Sequence, residues 1–154
     1  MKEVNKELKE DIFDEERAIE EVLERLFKIK AKFNTLSKED YSVEPAMGTY
    51  LMNFYNGVEN ILKRIAKNYY FAMPKGESWH KELLNLAFNP PQEKVAIFSR
   101  EIAERLHAYR NFRHRFISGY GFQLKGEKMI GLIDNIEPLW DDIKKAMSDF
   151  WDKI

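Results

Sequence analysis

The chain has 154 residues, 44% of them hydrophobic and 14% aromatic, with no cysteine and a formal net charge of −1. That is enough for one domain with a proper core, and seven glycines and five prolines are too few for a disordered, collagen-like or low-complexity polymer. The lack of cysteine excludes disulfides, thiolate nucleophiles, iron–sulfur clusters and thiolate zinc sites, leaving carboxylates and three histidines for any metal. No metal and no cofactor is expected. The opening segment is too charged for a signal peptide and no apolar run is long enough for a membrane span, so the expectation is a soluble, cytoplasmic protein with no membrane partner.

Hydrophobic spacing predicts helices almost throughout. Ile12, Ile19, Leu26 and Phe33 recur every seven residues with Val22, Ile29 and Leu36 between them, which makes a first amphipathic helix of about 35 residues. Ser42, Glu44 and Pro45 carry first-turn chemistry for a second. Met47, Leu51, Phe54, Val58, Ile61, Leu62, Ile65 and Tyr69 continue it towards Pro74 and Gly76. Ser78 is placed to cap a short third helix, Trp79 to Phe88, which Asn89, Pro90 and Pro91 stop. Val95, Phe98, Ile102, Leu106, Tyr109, Phe112 and Phe116 mark a fourth, ended by Gly119 and Gly121. A fifth runs from about Glu127 to the C-terminus, burying Met129, Ile133, Ile136, Trp140, Ile143, Met147 and Phe150, with a kink expected at Pro138.

Four long helices and a short insertion predict an all-α fold, an antiparallel four-helix-type bundle formed by residues 1–154 as one domain. No strand alternation or internal repeat is evident, and no Gly-rich phosphate loop, HExxH, EF-hand loop or Ser-His-Asp ordering appears.

The balanced total charge hides local fields. Residues 1–25 hold ten acids and five bases, whereas residues 100–125 hold six bases, two acids and two histidines. Arg100, Arg105, Arg110, Arg113 and Arg115 account for five of the eight arginines. Such a cluster reads either as a solvated helix face or as a polyanion site, because guanidinium groups grip phosphates bidentately. Within HAYRNFRHRFISGYGFQL, residues 107–124, Arg110, Arg113 and His114 stand at spacings of three and four and share one helix face. Ser118, five residues past Arg113, meets it only if the helix ends between them, since a continued helix turns it about 140° away.

The segments TYLMNFYNGVENILKRIA, PKGESWHKELL, FRHRF and GYGFQL occur in this order over residues 49–124. Together they resemble the HepT-like branch of the HEPN superfamily, helical proteins that include metal-independent ribonuclease toxins paired with MNT-type nucleotidyltransferase antitoxins. The family motif is an Arg, four to six residues, a His, and a Tyr two residues later. Arg113 and Tyr120 match it, Ser118 stands at the His position, and Ile117 stands where many members carry a further Arg. Arg100 and His107 also fit the spacing formally, but inside a helix and without the downstream Tyr, and are read as chance.

The resemblance implies a homodimer whose paired motifs line one cleft, through the face bearing the fourth helix, and transesterification by an RNA 2′-hydroxyl. In that chemistry a His moves a proton while Arg holds the phosphoryl oxygens. Serine does not titrate near neutrality, so Ser118 weakens the implied ribonuclease; His114 reads either as a substitute, if the helix end brings it into the cleft, or as an exposed helix histidine. The catalytic candidates are thus Arg113, Arg110, His114 and Ser118. The resemblance further implies nucleotidylation of Tyr120 by the MNT-type partner, silencing the toxin by bulk and charge. Tyr120 also reads as a ring packed against the helix end beside Phe122. Glu59 reads as an ion pair holding Arg110 or Arg113, or as a carboxylate orienting that guanidinium for phosphate. Trp79 and His80 read as anchors of the short helix, and the loop before them as a partner surface. The alternative to a toxin is a non-catalytic HepT-like subunit that binds nucleic acid or a nucleotidyltransferase.

Overall fold

A computed structural model describes residues 3–35, 40–120 and 125–154 of the chain. Its helices are α1 (Glu3–Thr35), α2 (Val43–Ile65), α3 (Trp79–Phe88), α4 (Arg100–Ser118) and α5 (Gly126–Lys153), and no strand occurs among the described residues. The fold is an all-α bundle. Leu36 of the first apolar stripe and Gly121 and Phe122 after the fourth helix lie outside the described residues.

The apolar stripes close on one core. Ile12, Ile19 and Leu26 of α1 are fully buried, as are Met47, Leu51, Phe54, Val58 and Ile65 of α2. The pairing of α1 with α2 is the most extensive in the molecule. It is close because Gly57 has no side chain: a Cβ there would stand 2.5 Å from Cγ1 of Ile19. Phe54 sets its ring edge against Tyr109 of α4, with centroids 5.4 Å apart, and against Trp140 of α5 at 6.3 Å. Tyr109 reaches on to donate its hydroxyl hydrogen to the Leu132 carbonyl at 2.6 Å, tying α4 to α5. At the surface, Arg64 pairs with Asp11 and Glu15, Arg105 with Asp142, and Lys144 with Glu20.

Several local expectations are corrected. The fourth helix begins at Arg100, so Val95 and Phe98 belong to the preceding loop. Ser99 stops the helix from starting earlier: its extended backbone leaves Oγ to accept the Ile102 N–H at 3.2 Å, an N-cap bond. Ile97 and Phe98 meanwhile donate their N–H groups to the Ala87 carbonyl, folding the loop back on α3. The expected cap of α3 is absent, since the Ser78 side chain makes no cap bond. Its carbonyl instead accepts from Glu82 N, after a turn in which Gly76 takes the left-handed region at φ 100°.

Glu44 acts on another helix, its carboxylate accepting the first N–H of α5 from Gly126 at 2.7 Å. The second helix does not run to Pro74 as an α-helix; it widens into a π-helical turn, Ala66–Tyr70, closed by Phe71 in the left-handed region. Tyr69 and Tyr70 then clamp Val95, one hydroxyl accepting from its N–H and the other donating to its carbonyl. The fourth helix ends at Ser118, with Gly119 in extended geometry open to any residue. Helix α5 is continuous through Pro138, which lies on its exposed side.

Candidate functional site

The arginine-rich half of α4 faces two elements, α2 and the start of α3. Arg113 is half-buried and donates from Nε to the Asn56 side-chain oxygen of α2, which fixes the plane of its guanidinium. Arg110, one turn earlier, gives one terminal nitrogen to the Asn111 side chain at 3.2 Å. Its Nε is buried without a hydrogen-bond partner among the described residues. Arg110, Asn111, His114 and Arg115 form one wall of an open cleft of about 500 Å³. The other wall comes from the lead-in and first turn of α3, with Glu77, Ser78, His80 and Lys81.

Beneath this cleft lies a polar layer that belongs to α2. Glu59 is only 3% exposed, and its Oε2 sits 2.6 Å from Nδ1 of His80. The expected pairing of Glu59 with Arg110 or Arg113 is therefore replaced. The second residue of α3 takes the carboxylate, and Arg113 turns to Asn56, three residues away on α2. Tyr55, also fully buried, carries a hydroxyl with no hydrogen-bond partner among the described residues. Burial foremost, then the Glu59 charge, push this phenol well above the ordinary tyrosine value, and Arg110 and Arg113 oppose them. His107, one turn before Arg110, is pushed down by burial and then by Arg110 and Lys81.

Ser118 lies elsewhere. Helix α4 continues through it, so it is turned about 140° from Arg113 around the helix axis. Its hydroxyl donates to the His114 carbonyl at 2.5 Å. With the exposed Tyr120 it lines a separate cleft of about 410 Å³, where Phe112 and Phe116 meet Lys125 and Lys128 of the α5 start. Arg115 borders both clefts. Arg100, at the first residue of α4, covers the Phe88 ring at 5.5 Å, two turns from His107.

The structure thus brings together Arg110, His114, His80 and Lys81, sets Arg113 and Glu59 behind them, and separates Ser118 and Tyr120. Asn56, Tyr55 and the His80 pairing were missed by sequence reasoning. Their signal was the spacing Tyr55, Asn56, Glu59 on an otherwise apolar helix face, since polar groups there need partners. Among the described residues no group of three or more His, Asp or Glu is poised to hold a metal, and no helix is long and apolar enough to cross a membrane.

Comparison with curated proteins and with solved structures gave no match. A family model described as HepT-like protein matches residues 46–154, from the first turn of α2 through α5, leaving α1 outside.

Proposed function

The chain belongs to the HepT-like family of the HEPN superfamily, and on that footing we propose that it is the toxin of a HEPN/MNT-type toxin–antitoxin pair. In this reading it is a metal-independent ribonuclease, weakened by Ser118 at the usual histidine position. What carries the reading is the gathering of Arg110, His114, His80 and Lys81 around one cleft. The Arg110 and Lys81 cations offset the charge that builds on phosphoryl oxygens as an RNA 2′-hydroxyl attacks the adjoining phosphorus. Arg113 and Ser118 diverge around a single helix, so a site using both positions needs two copies paired through the α4 face. The MNT-type partner nucleotidylates Tyr120, placing an anion beside Lys125, Lys128 and Arg115, the residue common to both clefts.

Cleavage of RNA in the presence of a chelator tests this. The parent should cleave and Arg113→Ala should not. A second reading, a non-catalytic subunit binding RNA or a nucleotidyltransferase, is favoured by one observation: the Ser118 hydroxyl is spent on the His114 carbonyl. A silent parent beside an active Ser118→His would select it. RNA binding through the cleft should then weaken steeply as salt rises.

A further inference from the structure

We propose that His80, held by Glu59, is the catalytic proton acceptor of the α3–α4 cleft and supplies what Ser118 cannot. The inference deepens the ribonuclease reading and rests on it. Its starting point is an expense: a carboxylate 3% exposed is costly to bury unless a partner and further hydrogen bonds compensate. The chain nevertheless keeps Glu59 inside, on a helix face otherwise given to Phe54, Val58, Ile61 and Leu62. Its partner is neither nearby arginine but an imidazole, 2.6 Å away at Nδ1.

This choice fixes the chemistry of the ring. In the neutral ring that donates Nδ1–H to this carboxylate, Nε2 on the other edge is the acceptor, and His80 lines the cleft while Glu59 is buried behind it. The ring is held from another side as well. Trp79 lies against it, with centroids 3.5 Å apart and planes 31° from parallel, and Trp79 is in turn covered by Lys63 Nζ at 4.6 Å. A carboxylate from α2 and an oriented imidazole from α3, neither of them a position of the Arg–His–Tyr motif, are thus set beside the cations Lys81 of α3 and Arg110 of α4.

The step balances without a co-reactant. Nε2 of neutral His80 takes the proton of the 2′-hydroxyl as the bond from that oxygen to phosphorus forms and the bond from phosphorus to the 5′-oxygen breaks. The leaving oxygen draws a proton from water, and the imidazolium returns one to it, giving a 2′,3′-cyclic phosphate and a 5′-hydroxyl end. Arg110 and Lys81 face the phosphoryl oxygens. Glu59 touches no substrate; it is a positioning residue acting through His80.

The test uses the full chain with chelator and a random-sequence pool of labelled oligoribonucleotides. His80→Asn keeps a side-chain N–H where Nδ1 stands, so the bond to Glu59 and the fold survive, which thermal melting checks. It should bind the pool like the parent and cleave it about 100-fold more slowly. His80→Gly should regain cleavage when free imidazole is added, and Glu59→Gln should lower kcat with KM unchanged. If the parent and His80→Asn cleave alike while Arg113→Ala is inactive, the ribonuclease reading stands and the His80 assignment is overturned. If the parent itself leaves the pool intact under all conditions, both fall.

Discussion

Tyr55 and Tyr109 are buried phenols on facing helices, and their hydroxyls have opposite fates. The Tyr109 hydroxyl donates to the Leu132 carbonyl at 2.6 Å, whereas that of Tyr55 has no hydrogen-bond partner among the described residues. Removing a bonded hydroxyl strands its partner, while removing an unbonded one relieves a desolvation cost. Tyr109→Phe should therefore lose about 1 kcal/mol of stability and Tyr55→Phe should be neutral or gain a similar amount. Paired denaturant melts decide this, and equal losses in both would sink the argument. The same scale shows what was legible in the candidate site. That Glu59 needed a partner followed from its apolar surroundings, but which partner did not. His80 is 21 residues away and reaches Glu59 only through the packing of α3 on α2, a tertiary fact with no local sequence trace. Arg110 and His114 shared a face as their spacing required, because three- and four-residue steps survive any packing of the helix that carries them.

At the scale of elements, two helical glycines give opposite expectations. Alanine favours a helix over glycine by about 1 kcal/mol, but at Gly57 its methyl would press on the ethyl arm of Ile19, Cγ1 at 2.5 Å and Cδ1 at 2.9 Å, and that side chain is fully buried with little room to turn aside. Gly57→Ala should therefore lower stability by about 1–2 kcal/mol despite its better propensity. At Gly131, on the exposed side of α5, an added Cβ meets nothing within 4 Å, so Gly131→Ala should gain about 0.5–1 kcal/mol. A rise in melting temperature for both would show that the α1–α2 contact is looser than described, and a fall for both would overturn the Gly131 expectation. Apolar periodicity located all five helices because burial repeats at the helical period. It overran the start of α4 because Val95 and Phe98 are apolar for a different reason. The loop tucks them against the core, and only the Ser99 cap marks the true boundary. The π-helical turn after α2 was illegible for a related cause: it widens the helix by one residue per turn without changing which residues are apolar.

For the whole molecule, acidic α1 and the basic half of α4 place opposite charge in separate parts of one bundle, and exposed ion pairs such as Arg64 with Asp11 contribute at most about 1 kcal/mol each. Cohesion comes from the core, and α1 supplies one whole side of it. The family match nevertheless begins at residue 46, beyond α1. The stretch that defines the family and the stretch that folds are therefore of different lengths here. A chain cut to residues 46–154 would keep every residue of both clefts and lose the cover over Gly57, along with the carboxylates that hold Arg64. It should bind hydrophobic dye, melt without cooperativity and aggregate, whereas a monodisperse, cooperatively melting fragment would show that α1 is an appendage. If it is not, α1 is the wall that keeps the family-matched stretch dry, and a fragment cut at the family's boundaries would carry both clefts in a form unable to stand in water.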